Sequence, residues 1–151
     1  MVQNPTAEPR GQSTESRRNI IAYMSLNPTV DPALVADAEK VTSIYGGWPN
    51  FHDSEVVSVA LDREGPTLTV RVWTFKVHRN EIDARGYYKM SDRSIVKFRF
   101  VGIEELSIEG FNIQNVLSAI VFERADDGVR VNMDGIFGAT ITFRCSRVIV
   151  D

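Results

Sequence analysis

Residues 94–110 read SIVKFRFVGIEELSIEG, and the period of this stretch decides the fold. Val96, Phe98 and Phe100 alternate with Lys97 and Arg99, the repeat of two that sends successive side chains to opposite faces of a strand. After a short turn at Gly102, Leu106 and Ile108 resume the same period. The pair describes two half-buried strands, one face apolar and the other charged.

Moving toward the C-terminus, residues 110–115 (GFNIQN) form a polar corner with one aromatic, and residues 117–124 carry apolar side chains on both faces, as a central strand or a short buried helical turn leading into one would. Ala125-Asp126-Asp127-Gly128 is a hairpin signal, with Val129, Val131 and Met133 alternating beyond it. The closing strand places Ile141, Phe143 and Cys145 inward, and the alternation breaks at Arg147 before Val148 and Val150 resume an apolar face.

Toward the N-terminus, Val57, Val59 and Leu61 share a face of one strand, and Arg63-Glu64-Gly65-Pro66 connects it to the next. That next strand runs over residues 67–77. Leu68, Val70 and Val72 occupy one face before Trp73, Phe75 and Val77 take the other, and such a switch predicts either a bulge or a strand long enough to be covered on different faces at its two ends. Residues 78–94 form a polar stretch containing Tyr87-Tyr88, expected as a protruding hairpin rather than a long loop. The sum is about seven strands spaced by 8 to 12 residues with no intervening helix. It predicts a mainly β protein, an antiparallel β-sandwich or barrel-like sheet with an N-terminal helix.

The helix is expected over residues 32–45. Asp31 suits its N-cap, Pro32 its first position and Gly46 its C-terminal stop, and Leu34, Ala38, Val41 and Tyr45 make one apolar stripe. Residues 19–26 are apolar enough to pack but too short to assign. Residues 1–18 are rich in Pro, Gly, Ser, Thr and charge and offer little to offset the entropy of ordering. The expected division is a flexible tail over 1–18, a helical segment over 19–47 packed on the domain, and an antiparallel β domain over 48–151.

The 151 residues hold 17 basic and 20 acidic side chains, distributed unevenly. Residues 62–99 carry nine basic and five acidic groups; residues 100–151 carry four and eight. The basic residues are interspersed with acids and mostly alternate with apolar positions, as a solvated sheet face requires, so no nucleic-acid partner is expected. No stretch approaches the roughly 18 apolar residues of a membrane span, and the start lacks the apolar core of an export signal. The single Cys145 offers no disulfide framework. These features point to a cytoplasmic protein without a membrane partner.

The densest chemistry lies at residues 48–55, WPNFHDSE. His52, Asp53 and Glu55 are residue types that bind metals, yet a site needs three or four ligands at definite spacing, and adjacent strand residues point apart. The other reading is a turn pinned by Pro49, with Trp48 and Phe51 packed and His52 or Asp53 satisfying backbone groups. Cys145, in the inward register, behaves as a small hydrophobe rather than a nucleophile. Phosphate loops, paired-cysteine motifs and nucleophile elbows are absent, and nothing calls for a cofactor. Asn112, Gln114 and Asn115 suit either turn formation or a neutral recognition surface, and Glu104, Glu105 and Glu109 either an acidic patch or a charged edge that resists pairing.

Taken in order, WPNFHDSEV (residues 48–56), FRFVGIEELSIEGFNIQNV (98–116) and GATITFRC (138–145) resemble the bacterial immunity protein 50 family. The resemblance covers roughly residues 48–151. It implies a non-catalytic inhibitor that binds and neutralises a cognate polymorphic toxin, and it brings no assigned functional residues. The contact surface expected from the sequence comprises Trp48, His52, Asp53, Glu55, Glu105, Glu109, Asn112 and Asn115. Two other readings stay open: a generic protein-binding or scaffold β domain, and a metal-dependent enzyme using His52, Asp53 and Glu55.

Overall fold

The structure is a computed structural model that describes residues 32–151. The expected tail over 1–18, the apolar segment 19–26 and the capping Asp31 lie outside the described residues.

After a 3-10 turn at Pro32–Leu34 come β1 (Val35–Ala36), α1 (Glu39–Tyr45), β2 (Glu55–Asp62), β3 (Thr67–Ile82), β4 (Tyr88–Val101), β5 (Glu104–Glu109), β6 (Val116–Ala125), β7 (Gly128–Phe137), β8 (Thr140–Cys145) and β9 (Arg147–Val150). All nine strands join one sheet in the order β1-β9-β4-β3-β2-β6-β7-β8-β5. The β1–β9 pair is parallel and every other pair antiparallel, so the sheet is mixed.

The mainly β expectation holds, and its finer form is corrected. Among the described residues there are nine strands rather than about seven, in one hydrogen-bonded sheet rather than the two sheets of a sandwich. Nor does it close as a barrel, because β1 and β5 end the sheet without pairing to each other. The sheet nevertheless curls over its own apolar face. Phe100 on β4 and Phe143 on β8 stand five strands apart in the order yet meet edge to face at 4.7 Å. Phe98 and Phe100 likewise lie 6.0 and 6.5 Å from Phe122 on β6. The curl therefore brings two half-sheets face to face around a common core.

That core is built from the inward registers. Leu68, Val70 and Val72 on β3, Phe98 and Phe100 on β4, Val131 and Met133 on β7, and Ile141 on β8 are all completely buried. Each such side chain contributes roughly 1.5–3 kcal/mol relative to exposure. A bulge corrects one register: the β2–β3 pairing slips between Val56 and Ser58, so Val56 is buried and Val57 faces solvent. Slips beside Leu117 in the β6–β7 pairing explain why residues 117–124 look apolar on both faces, since Leu117, Ile120 and Phe122 all turn inward. The β3–β4 pairing slips between Thr74 and Lys76, but the extra residue belongs to β4, around Asp92 (φ 50°), and β3 itself runs on for sixteen residues, in keeping with the long-strand alternative.

The long helix over residues 32–45 is also corrected. Val35 and Ala36 pair with Val148 and Ile149 of β9, Asp37 turns left-handed (φ 61°), and the α-helix begins only at Glu39. It ends at Gly46, whose φ of 73° is the left-handed stop the sequence suggests.

Two joints hold the halves together. At one, β2 and β6 pair at Glu55 and Val116 and are extended by loop bonds. At the other, the chain turns at Ser146 from β8 in one half to β9 in the other, and Ser146 donates from both its N–H and its hydroxyl to the Val101 carbonyl, at 2.9 and 2.8 Å.

Candidate functional site

The β2–β6 joint is where residues 48–55 and the GFNIQN corner meet. Asp53 N–H donates to the Leu117 carbonyl at 2.9 Å, Leu117 N–H to Ser54 at 2.8 Å, and Val56 N–H to Asn115 at 2.9 Å. Ser54, itself buried, donates its hydroxyl to Thr74 Oγ1 at 2.7 Å. Phe51 (φ 58°) and Asp53 (φ 61°) are both left-handed, a conformation that costs a bulky residue of order 1–3 kcal/mol and persists here because Phe51 is locked in the core.

Trp48 packs against Phe51, Phe98 and Phe122 with centroid distances of 5.8, 6.2 and 6.0 Å, and its buried indole N–H finds no acceptor among the described residues. It is a plug between the half-sheets. His52 and Asp53 are exposed and face each other, Nδ1 to Oδ2, at 3.0 Å, while Asn50 Oδ1 accepts the His52 N–H. Glu55 opens β2. His52, Asp53 and Glu55 assemble no metal cage: among the described residues no three His, Cys, Asp or Glu side chains converge as ligands.

Asn115 is buried and fully used. Its Oδ1 accepts from Asn112 N–H at 2.9 Å and Ala139 N–H at 3.1 Å, and its Nδ2 donates to the Asn112 carbonyl at 2.7 Å and the Val56 carbonyl at 3.4 Å. Gly138 passes so close that a Cβ there would stand 2.2 Å from the Gln114 carbonyl oxygen. Asn112 braces the same turn, donating to Gly110 and accepting from Gln114. The corner also exposes apolar side chains beside Asn112 and Gln114: Ile113 is 101% exposed, and Phe111 and Phe137 are open to solvent.

The acidic residues divide. Glu109, opposite Thr140, lies at the corner's end of β5, whereas Glu105 at the far end faces Arg144 at 3.6 Å in a network with Asp127. The structure therefore gathers Trp48, His52, Asp53, Glu55, Glu109, Asn112 and Asn115 around one joint and leaves Glu105 apart. Cys145 is buried, and desolvation pushes its thiol up to about 11, away from nucleophilic use.

Sequence reasoning missed what lies beside the joint. β3 has sixteen residues and β2 eight, so beyond Trp73, opposite Glu55, β3 has no partner on that side among the described residues. There a groove of about 680 Å³ opens between the β3–β4 ribbon and the Tyr45–Asp53 segment, with Thr74, Lys76 and Arg79 of β3 and Tyr88 of β4 along its strand side. The mismatch in strand lengths was the available signal, hidden because the charged residues beyond Val77 conceal how far the strand continues.

The described residues thus form a curled sheet with buried polar keystones and exposed apolar residues at one corner. Comparison with known families matches residues 37–151 to Immunity protein 50, and the chain belongs to that family. No curated protein and no solved structure matches it. No helix among the described residues is long and apolar enough to cross a membrane.

Proposed function

We propose that the protein is an immunity protein that binds a cognate bacterial toxin stoichiometrically in the cytoplasm and neutralises it without catalysis. Family membership over residues 37–151 carries this reading. The joint supports it: an interface needs an apolar centre with a polar rim, and exposed Phe111, Ile113 and Phe137 stand beside His52, Asp53, Asn112 and Glu109. In this reading Trp48 and Asn115 hold the surface in shape, the exposed side chains touch the toxin, and Glu105 is peripheral.

Co-expression with the product of the neighbouring gene, which the proposal expects to be the toxin, tests it. The expected result is rescue of growth and a 1:1 complex, with Ile113→Ala and Phe111→Ala together weakening the complex at least tenfold in a folded protein. A folded protein that neither rescues nor binds refutes it.

A further inference from the structure

The β3–β4 hairpin extends beyond the body as a two-stranded ribbon, with residues 79–90 all exposed. Its two edges differ. On the β4 side the edge is interrupted by the bulge at Asp92 and covered by α1, where the Tyr45 hydroxyl meets the Asp92 carbonyl at 3.3 Å and the Ser94 hydroxyl. On the β3 side, residues 75–79 have no backbone partner among the described residues, and the groove runs beside them. The facing wall is bare where it comes nearest. Gly46 and Gly47 carry no side chains, and a Cβ on Gly46 would lie 3.8 Å from Lys76 Nζ.

The charges select an occupant. Lys76 and Arg79 line the groove, and neither forms an ion pair among the described residues. The opposite wall carries one carboxylate, Asp53, whose Oδ2 lies 3.0 Å from His52 Nδ1. We infer that this groove binds an extended, carboxylate-bearing segment of the protein's partner, which adds as a strand to the free edge of β3 and sets its acidic side chains against Lys76 and Arg79. Strand addition draws affinity from main-chain hydrogen bonds and specificity from the flanking side chains. The same cations discourage a second copy of this basic edge from pairing with it, a common protection of free edges, while admitting an anionic strand.

The inference rests on the immunity reading only for the partner's identity, and two probes separate the two ideas. The first is a ten-residue peptide alternating Glu with Val, titrated into isotope-labelled full-length protein, with the Lys–Val peptide as control. The Glu peptide is expected to slow amide exchange at alternate positions within residues 75–79 at least tenfold, and the Lys peptide to leave them unchanged. No protection, or equal protection by both peptides, overturns the groove assignment. The second probe is the toxin from the neighbouring gene. Lys76→Glu with Arg79→Glu is expected to weaken its binding at least tenfold while the thermal midpoint stays put. A toxin that binds and is neutralised without protecting residues 75–79 refutes strand addition and leaves the immunity function standing. A toxin that does not bind refutes the immunity function, and the peptide result then decides the groove alone.

Discussion

Asn115 shows how one side chain sets the geometry of the joint. Its carboxamide both donates and accepts, so each face of the corner loop is closed by a group of matching sense. Asn115→Ala leaves buried donors and acceptors unmatched and is expected to cost roughly 2–3 kcal/mol. Asn115→Asp should cost more, since it turns a carboxylate toward the Asn112 and Val56 carbonyls; chemical denaturation of both variants measures the order. Asp151 is the other telling residue. Hydrogen bonds from Arg99, at 2.9 and 2.8 Å, and contact with Lys97 hold its carboxyl down at about 2. Because the folded value lies below the ordinary 3.8, its stabilisation is complete above pH 3.8 and is lost as the pH falls through about 2. Asp151→Asn should therefore cost roughly 1 kcal/mol at pH 7, in line with a partly exposed pair, with the gap from wild type closing across that acid window. The turn-forming amides were legible in the sequence, but not their division: spacing alone does not say that Asn115 is inside and Asn112 outside.

At the scale of elements, the period of two made the strands readable, and bulges account for most misassigned faces. Unbroken alternation puts Val57 on one face with Val59 and Leu61, while the slip beside it turns Val57 to solvent and gives the core position to Val56. The helix was drawn too long for a different reason: Leu34, Ala38, Val41 and Tyr45 do fit a helical stripe, but Val35 and Ala36 gain more from the ladder with β9, a contact more than a hundred residues away in sequence. The β3–β4 arm was legible as a hairpin, yet its lack of lateral support was not. A two-stranded ribbon is marginal alone, so its amides beyond Lys76 are expected to exchange at least a hundredfold faster than those of residues 96–100 in the same strand pair. Replacing residues 79–88 with a two-residue Asn-Gly turn removes no buried side chain and should shift the thermal midpoint by no more than a few degrees. A large loss of stability in the shortened protein would show that the arm supports the fold rather than a partner.

For the whole molecule, the question is whether a sheet joined by a single ladder pair between β2 and β6 behaves as one unit or two. The strand pattern could not answer it, because curl depends on which inward faces meet, and inward faces look alike in sequence. The aromatic cluster settles the geometry: Trp48 touches Phe98 from one half and Phe122 from the other, and Phe100 packs on Phe143 across the core. Neither half can bury these rings alone, so cooperative unfolding is expected despite the narrow ladder. Phe100→Ala removes a completely buried ring and should cost roughly 3–5 kcal/mol. Its signature is that tryptophan fluorescence, dominated at Trp48 by the shared cluster, and far-UV circular dichroism, averaged over both halves, move together to lower denaturant. If the mutation instead split the two signals into separate transitions, the half-sheets would be independent units, and the joint carrying the exposed corner would be a hinge between them rather than a rigid surface.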